Sequence, residues 1–404
     1  MAVELSLNGS TDPFWHYLSW APSPCSVRQV NGTSDLDVQI RTETDSQAEL
    51  SFYRDPADTA LSRLQITIPA DGTPVNFFIS GSFGSASLDD RDSGIVVRSQ
   101  GDTLANLKLM VRIRKDANKL THSERDRFVS AFANFNDQGM GGFRSFRDMH
   151  VSESIPEAHG GPWFLPWHRA YLLDLERELQ AIDPSVSLPY WRFDLPAPNL
   201  FHLDFIGVSN SSGRVIFGQN NPLNFWSTDG LQGINRFPRF NTSTQSAFVI
   251  SEDDTLALGG SNNRYRFFRR MEGNPHGPAH TSFIGFVSSI PTAARDPLFF
   301  ILHCNVDRLW AKWQWLKQRF DKTVDDSFDP ALPRDGHNLG DTMWPWNGVT
   351  TAPRPGFAPR GALTNSPVVS APGSSPTVGD MLDLQGQFSN GASLGFDYDD
   401  VPFE

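Results

Sequence analysis

Six of the ten histidines in this chain form two groups of three that could bind metal. The groups are His150, His159 and His168, then His276, His280 and His303. A single histidine is more often an ordinary core or surface residue than a ligand, but two matched groups favour ligands. Imidazole suits copper, zinc, iron and nickel. Because no cysteine or paired carboxylate accompanies these histidines, the set indicates copper or zinc.

The local spacing in the second group suggests how its side chains are positioned. His276 and His280 are four residues apart, so on a helix both rings would point the same way. Pro278 allows an alternative in which the helix begins at Pro278 and His276 lies in the preceding loop. Asp307 follows His303 by one helical turn and could orient that ring as a carboxylate partner.

Hydrophobic periodicity predicts the elements that carry these histidines. A helix is expected to begin near residue 123, with Ser123 as its N-cap, because apolar residues then recur at helical intervals. Residues 167–179 and 296–316 are predicted to form two further helices, since each carries a broad apolar face. The central part of the chain should therefore be helical.

The N-terminal part has a different pattern. Short runs at 36–40, 64–68, 75–79 and 107–111 alternate apolar with polar residues and are separated by turn-forming residues. We therefore predict a multidomain α and β protein. It would comprise an N-terminal antiparallel β domain (1–115), a mainly helical domain (116–320) and a Pro/Gly-rich wrap and tail that closes the core (321–404).

Composition argues against several other functions. There are 46 acidic and 34 basic residues, giving a net charge of −12, and no basic run offers a face for nucleic acid. No apolar stretch reaches the roughly 20 residues that cross a bilayer. Two cysteines cannot build a disulfide framework. We expect a soluble protein, cytoplasmic or exported by a route that the sequence does not show, with no nucleic-acid or membrane partner.

Two long motifs resemble those of a known family. Residues 159–176 read HGGPWFLPWHRAYLLDLE, and residues 296–310 read DPLFFILHCNVDRLW. They resemble the first and second copper signatures of the type 3 copper proteins, which include tyrosinases, catechol oxidases and hemocyanins. The resemblance extends over about residues 150–315, with a weaker match at Phe396-Asp397-Tyr398, and does not cover residues 1–115.

The resemblance implies a fold, a cofactor and a reaction. The first three histidines would bind one copper ion and the last three a second, at the centre of a four-helix bundle. Arg169, Glu176 and Asp307 would support the site without being ligands. Such a centre would use dioxygen to oxidise small phenolic substrates, ortho-diphenols or o-aminophenols, to quinones. The alternatives are a tyrosinase that also hydroxylates monophenols and, further away, an oxygen-binding hemocyanin-like protein.

Three positions bear on the substrate and a fourth bears on a cross-link to a ligand. Many tyrosinases have Asn where this chain has Gly277, and that Asn is thought to help orient a water that deprotonates monophenols. Glu272 is expected to be the acidic group near this water, and Ile290 the residue that gates the second copper. Glu157 occupies the position of a cysteine that forms a thioether with a ligand in many relatives, so that cross-link should be absent.

Overall fold

The chain forms two compact units in this computed structural model, which describes residues 2–329, 338–366, 368–388 and 393–403. The first unit comprises residues 1–114, 366–371 and 385–404. The second comprises residues 115–365 and 372–384. Within the described ranges, no helix is both long enough and apolar enough to cross a membrane.

Among its described residues, the first unit has nine strands in two sheets. The strands are β1 (Ala2–Leu7), β2 (Tyr17–Leu18), β3 (Ser23–Val30), β4 (Leu36–Thr42), β5 (Leu50–Tyr53), β6 (Arg63–Ile68), β7 (Val75–Gly81), β8 (Ser93–Ser99) and β9 (Asp102–Val111). One sheet has the order β1-β3-β7-β5, and the other has the order β2-β9-β8-β4-β6. Alternate residues of both sheets, such as Val27, Phe77, Ile40 and Val97, share one buried core.

The strand predictions and the structure agree in position but not in every direction. All four runs predicted as strands lie within strands, namely β4, β6, β7 and β9. Strand pairing in this unit is antiparallel except at one edge, where β2 pairs parallel to β9 through Tyr17–Met110 and Leu18–Val111. A two-residue edge strand entered from a long connection need not follow the hairpin pattern of its neighbours.

The second unit contains the helices. They are α1 (His122–Asn136), α2 (Phe143–Met149), α3 (Ile155–Ala158), α4 (Phe164–Ile182), α5 (Glu252–Leu256), α6 (Tyr265–Phe268), α7 (His276–Thr281), α8 (Ile290–Ala293) and α9 (Leu298–Lys317). Its short strands are β10 (Val208–Ser209), β11 (Val215–Ile216), β12 (Ser227–Thr228), β13 (Leu231–Gln232), β14 (Arg236–Pro238) and β15 (Phe283–Gly285). The helix α4 packs against both α1 and α9, so buried helices form the core of this unit.

Three helix starts differ in detail from the sequence prediction. The N-cap of α1 is Thr121, not Ser123, because Thr121 and Glu124 form a reciprocal capping box. The helix α9 begins at Leu298, since the Asp296 side chain accepts a hydrogen bond from the Leu298 N–H at 3.0 Å. The helix α4 extends beyond the predicted 167–179 to Phe164 and Ile182.

The C-terminal region is divided between the two units. Residues 366–371 and 385–404 belong to the first unit, and the remainder of 321–404 belongs to the second. Its described residues contain only single-turn helices at Asp325–Ser327 and Gly379–Met381. Positions 330–337, 367, 389–392 and 404 of this region lie outside the described residues. Within the first unit, the carboxylate of Asp397 accepts hydrogen bonds from the Trp20 N–H and from Gln385.

Candidate metal centre

The six histidines assemble into two groups, each of which could hold a metal ion. In each group, the available ligand atoms lie within 4.8 Å of one another, in the sets His150, His159 and His168, and His276, His280 and His303. The two groups are adjacent, because the rings of His168 and His303 stack with centroids 4.2 Å apart and planes 7° apart. The sequence spacing alone could not show that the two sets form one centre.

Different elements position the rings. His168 lies on α4 and His303 on α9, which are the two longest helices. His276 and His280 lie on the same face of the six-residue α7. His150 caps the end of α2 and His159 caps the end of α3. The backbone dihedral angles of His150 and His159 are themselves non-helical.

The structure overturns the alternative in which His276 precedes the helix. The helix α7 begins at His276, so Pro278 occupies its third position. No hydrogen bond within the helix is lost there, because the first N–H groups of a helix have no intrahelical partner. The rings of His276 and His280 are 4.7 Å apart between centroids, as the four-residue spacing predicts.

Backbone carbonyl groups fix the orientation of four rings. The Nδ1 atoms of His150, His168, His276 and His280 lie 3.0, 2.8, 2.9 and 2.6 Å from the carbonyl oxygens of Ile290, Phe164, Glu272 and Val287. A carbonyl oxygen can only accept, so each Nδ1 carries the proton and each Nε2 presents its lone pair. Histidines that bind metal commonly donate their other ring nitrogen in this way.

The Nε2 atoms of the histidines converge on one another. His150 and His159 are 2.9 Å apart between Nε2 atoms, and His280 and His303 are 3.1 Å apart. The buried Nε2 of His168 has no hydrogen-bond partner among the described residues. Lone pairs held this close repel one another unless a cation lies between them. A buried acceptor without a hydrogen-bond partner also destabilises the folded protein. The donor set therefore fits two metal ions.

Burial keeps these rings neutral. It lowers the pKa of His150, His168, His276 and His303 well below the ordinary value, and the neighbouring histidines add to this effect. Burial likewise lowers the pKa of His280 to about 4. Neutral imidazole is the form that binds metal, so near neutral pH these rings do not have to lose a proton before binding.

Glu272 contacts one histidine of each group. Its carbonyl oxygen accepts from His276 Nδ1, while its carboxylate lies 3.3 Å from His159 Nδ1 and accepts from the Gly160 N–H at 2.7 Å. The side-chain contact spans more than 100 residues of sequence, so no local pattern could have predicted it. Through these contacts Glu272 links the two histidine groups, and it also lines the site.

A cavity of about 340 Å³ opens beside the histidines. It is lined by His150, His159, Glu272, His276, Gly277, His280, Thr281, Val287, Ser288, Ile290 and Ala293. All three residues proposed from the sequence to act on the substrate, Glu272, Gly277 and Ile290, are thus brought to the same cavity. Gly277 has room for a side chain, since a Cβ there would meet only the Glu272 carbonyl oxygen, at 3.6 Å.

Asp307 does not orient His303, which corrects the sequence interpretation. Its carboxylate lies 2.5 Å from Nε of Arg169, and both side chains are fully buried. The Nδ1 of His303 has no hydrogen-bond partner in the described part of the chain. Instead, Phe299 packs against the His303 ring at a centroid distance of 4.3 Å. The one-turn spacing was a correct helix signal but did not identify the carboxylate's partner.

Comparison with known proteins agrees with this centre. The common central domain of tyrosinase matches residues 140–316. The tyrosinase of Streptomyces glaucescens is 30% identical over 271 residues, which cover 59% of this chain and 94% of that protein. Grixazone synthase of Streptomyces griseus is 28% identical over 302 residues, 60% of this chain and 96% of that protein.

A solved structure shows a more distant likeness. The deoxygenated hemocyanin of Rapana thomasiana aligns with a TM-score of 0.47 at 21% identity, covering 72% of this chain and 70% of the hemocyanin chain. The sequence relatives and the two histidine groups lead to one conclusion. This chain belongs to the tyrosinase family of type 3 dicopper proteins.

Proposed function

We propose that this protein is a copper oxidase that uses O₂ to convert ortho-diphenols, or o-aminophenols, to quinones. The observation that carries the proposal is the convergence of oriented imidazoles from both groups beside a cavity of about 340 Å³. The names of the relatives, tyrosinase among them, support an oxidase. The same centre could also serve an oxygen-binding protein, so turnover is the deciding property.

The six histidines are proposed as the metal ligands. His150, His159 and His168 would hold one copper, and His276, His280 and His303 would hold the other. Supporting this assignment, four Nδ1 atoms are already committed to carbonyl oxygens, which leaves Nε2 as the donor atom of those rings. For His168, His276 and His280, the accepting carbonyl group lies within seven residues of the histidine. The local backbone therefore fixes the orientation of each of these rings.

When bound, the copper pair supplies the electron transfer to dioxygen. Two diphenol molecules together give up four electrons and four protons, and one O₂ takes them up to form two water molecules. The chain itself holds the imidazole rings in place and provides a cavity with largely apolar walls. Since rigid, preorganised ligands need not rearrange during turnover, they favour repeated redox cycles.

Glu272 is proposed to serve the site in two ways. It is the only residue with a carboxylate among those that line the cavity in the described ranges. One carboxylate oxygen accepts from the Gly160 N–H and lies near the His159 ring. The other oxygen could accept a proton, or a hydrogen bond from water, on the cavity side. Glu272 would then both hold His159 and receive protons released by the substrate.

Gly277 is proposed to favour diphenols over monophenols. Hydroxylating a monophenol requires removal of a proton from a phenol with a pKa of about 10, which needs a positioned base. Gly277 has no side chain that could hold a water molecule for this purpose. A catechol is easier to oxidise and depends less on that base. The runner-up function, a tyrosinase with monophenol hydroxylase activity, is favoured by the names of several relatives.

Ile290 is proposed to gate the cavity. Ile290 lines the cavity, and the residue is 37% exposed. Its carbonyl oxygen accepts from His150 Nδ1 at 3.0 Å. The backbone of the gate residue is therefore fixed by a proposed ligand, while its modest side chain leaves room for a substituted ring. A larger residue at this position would narrow the entrance without releasing the histidine.

At the level of the whole chain, we propose a four-helix arrangement of α2, α4, α7 and α9 around the metals. The packing of α4 against α9 and the placement of histidines on or at the ends of these helices support it. We also propose functional domains at 1–115, 116–320 and 321–404. The change from strands to helices after Val111 supports the first boundary.

The deciding experiment is oxygen uptake with a plain catechol. An oxidase consumes O₂ continuously and forms quinone in proportion, whereas an oxygen carrier takes up O₂ once and releases it when the pressure falls. Sustained uptake with two catechols oxidised per O₂ is the expected result. Reversible binding without quinone would instead assign the protein to the oxygen carriers.

A further inference from the structure

A proline-rich segment of the second unit runs against the helix that carries His168. We name residues Trp344 to Thr364 the strap; none of them lies in a helix or strand. The carbonyl oxygen of Trp344 accepts from Trp167 Nε1 at 2.7 Å, and Trp346 Nε1 donates to Asp174 at 2.9 Å. Trp167 and Asp174 are seven residues apart and so lie on one face of α4.

The end of the strap is held by further contacts to the same helix. Arg360 pairs with Asp174 and Glu178, and the Thr364 N–H donates to Asp174 at 2.9 Å. Because α4 is 19 residues long, its own hydrogen bonds and its buried face are sufficient to hold it in place. These contacts therefore fix the strap to an element that is already rigid.

One strap residue reaches a different element. Arg354 forms an ion pair with Glu157, and the side chains are only 7% and 3% exposed. Glu157 lies in α3, whose last hydrogen bond runs from the His159 N–H to the Ile155 carbonyl at 2.8 Å. A buried charge without its partner is strongly unfavourable. The position of Glu157 is therefore tied to that of Arg354.

The segment that carries His159 needs support from outside. The helix α3 has four residues, too few to be stable alone. His159 itself is already extended, with φ −136° and ψ 159°. The next residue, Gly160, has φ +78°, a conformation that favours glycine. By comparison, His168 and His303 lie within helices of 19 and 20 residues.

We propose that Arg354 is a positioning residue for His159: its ion pair with Glu157 fixes the last turn of α3, so that the strap holds one ligand of the first metal site in place. The inference rests on the proposed function, because it takes His159 to be a copper ligand. Glu272 holds the same residue from the other side through Gly160. The geometry of His159 is thus set by two carboxylates, of which only Glu157 depends on the strap.

The test compares two arginines of the strap. Arg354→Met removes the cation that pairs with Glu157, and Arg360→Met removes the cation that pairs with Asp174 and Glu178 on α4. Copper-loaded full-length proteins are mixed with a strong copper chelator, and the release of each copper is followed. We expect Arg354→Met to release one copper about 10-fold faster, because Arg354 acts on His159 through Glu157, and loss of a ligand's own partner costs about 10- to 100-fold in metal affinity. Arg360→Met should release copper at the native rate, and Arg354→Lys should restore much of the difference.

A double variant separates positioning from stability. Glu157→Leu combined with Arg354→Met leaves no buried charge unpaired, so its melting temperature should recover relative to Arg354→Met. Copper release should nevertheless stay fast, because α3 is still not anchored. The proposal would be overturned if the folded double variant released copper at the native rate. It would also be overturned if Arg360→Met accelerated copper release as much as Arg354→Met does.

A measurement on the metal-free protein keeps this inference distinct from the proposed function. Diethyl pyrocarbonate modifies accessible imidazoles, and mass spectrometry locates the modified residue. In metal-free Arg354→Met, His159 should react several-fold faster than in the native chain, while His168 should not change. Unchanged reactivity of His159 would count against the proposal whether or not the protein binds copper. Changed reactivity in a protein that binds no copper would reject only the proposed function.

Discussion

His168 and His303, one from each histidine group, stack face to face at 4.2 Å between ring centroids. They lie on α4 and α9, the two longest helices, which pack against each other. The position of each ring is therefore set by the packing of two rigid elements. The packing of α4 against α9 therefore sets the position of the two histidine groups relative to each other.

Replacing His303 by Ala should remove one copper and nearly all oxidase activity. The loss follows because His303 Nε2 is the point on which His276 and His280 converge, at 3.3 and 3.1 Å. Copper analysis and oxygen uptake measure the two effects. His202→Ala is the control, since His202 is exposed and its ring lies 3.5 Å from the Asp204 carboxylate, away from the two histidine groups. A His303→Ala enzyme with two coppers and native turnover would show that the ligand set is wrong.

Replacing Gly277 by Asn should narrow the preference for catechols over monophenols. A side chain fits at this position, and its amide could hold a water molecule near Glu272. We expect the ratio of the two initial oxygen-uptake rates to change by about tenfold, or ~1.4 kcal/mol. Gly277→Ala is the control, because it adds bulk without an amide. If the native enzyme hydroxylates a monophenol as fast as the matching catechol, without a lag, the function becomes that of a tyrosinase.

A substrate with a carboxylate should be a poor one. The residues that line the cavity include no Lys or Arg, at least within the described ranges, and include the carboxylate of Glu272. An anionic catechol would therefore lose hydration without gaining a partner, which should lower kcat/KM about tenfold or more relative to a methyl-substituted catechol. Thr281→Lys places a cation at the exposed edge of the cavity and should reduce that difference. Equal kcat/KM values for the two substrates would contradict this description of the cavity.

Three of the six proposed ligands, His159, His168 and His303, could be predicted because they lie in long motifs, but the supports of the site could not. His159 to Glu176 and Asp296 to Trp310 carry periodic apolar residues, so the pattern reveals both helix and ligand. The contacts of Glu272 with Gly160 and of Arg354 with Glu157 join residues more than 100 positions apart. The carbonyl oxygens that orient four rings belong to the backbone, which has no sequence signature. Asp307 shows the converse, since its helical spacing from His303 was real but Arg169 is its partner.

The first unit should show a pH dependence that arises from Asp397. Burial raises the pKa of this carboxyl from 3.8 to about 6. Between these values the folded form keeps a proton that the unfolded chain has lost, so the free energy of unfolding falls as the pH rises from about 4 to about 6. Above pH 6 both forms are ionised and the contribution is constant. The loss is on the order of 3 kcal/mol.

The comparison is between the native protein and Asp397→Asn, with melting temperatures measured from pH 4 to pH 7. Asparagine does not titrate but can still accept a hydrogen bond from the Trp20 N–H. We expect the melting temperature of the native protein minus that of the variant to fall as the pH rises over this range. A difference that rises with pH would mean that the hydrogen bonds to Asp397 outweigh its burial and hold it ionised.

The count of copper ions per chain tests the central claim most directly. Metal-free protein is reconstituted with excess copper, freed of loosely bound metal and analysed for copper and zinc, with His202→Ala as a reference. Two groups of three histidines predict two coppers per chain in both proteins. One copper per chain, or a site that retains zinc against excess copper, would contradict the dicopper account.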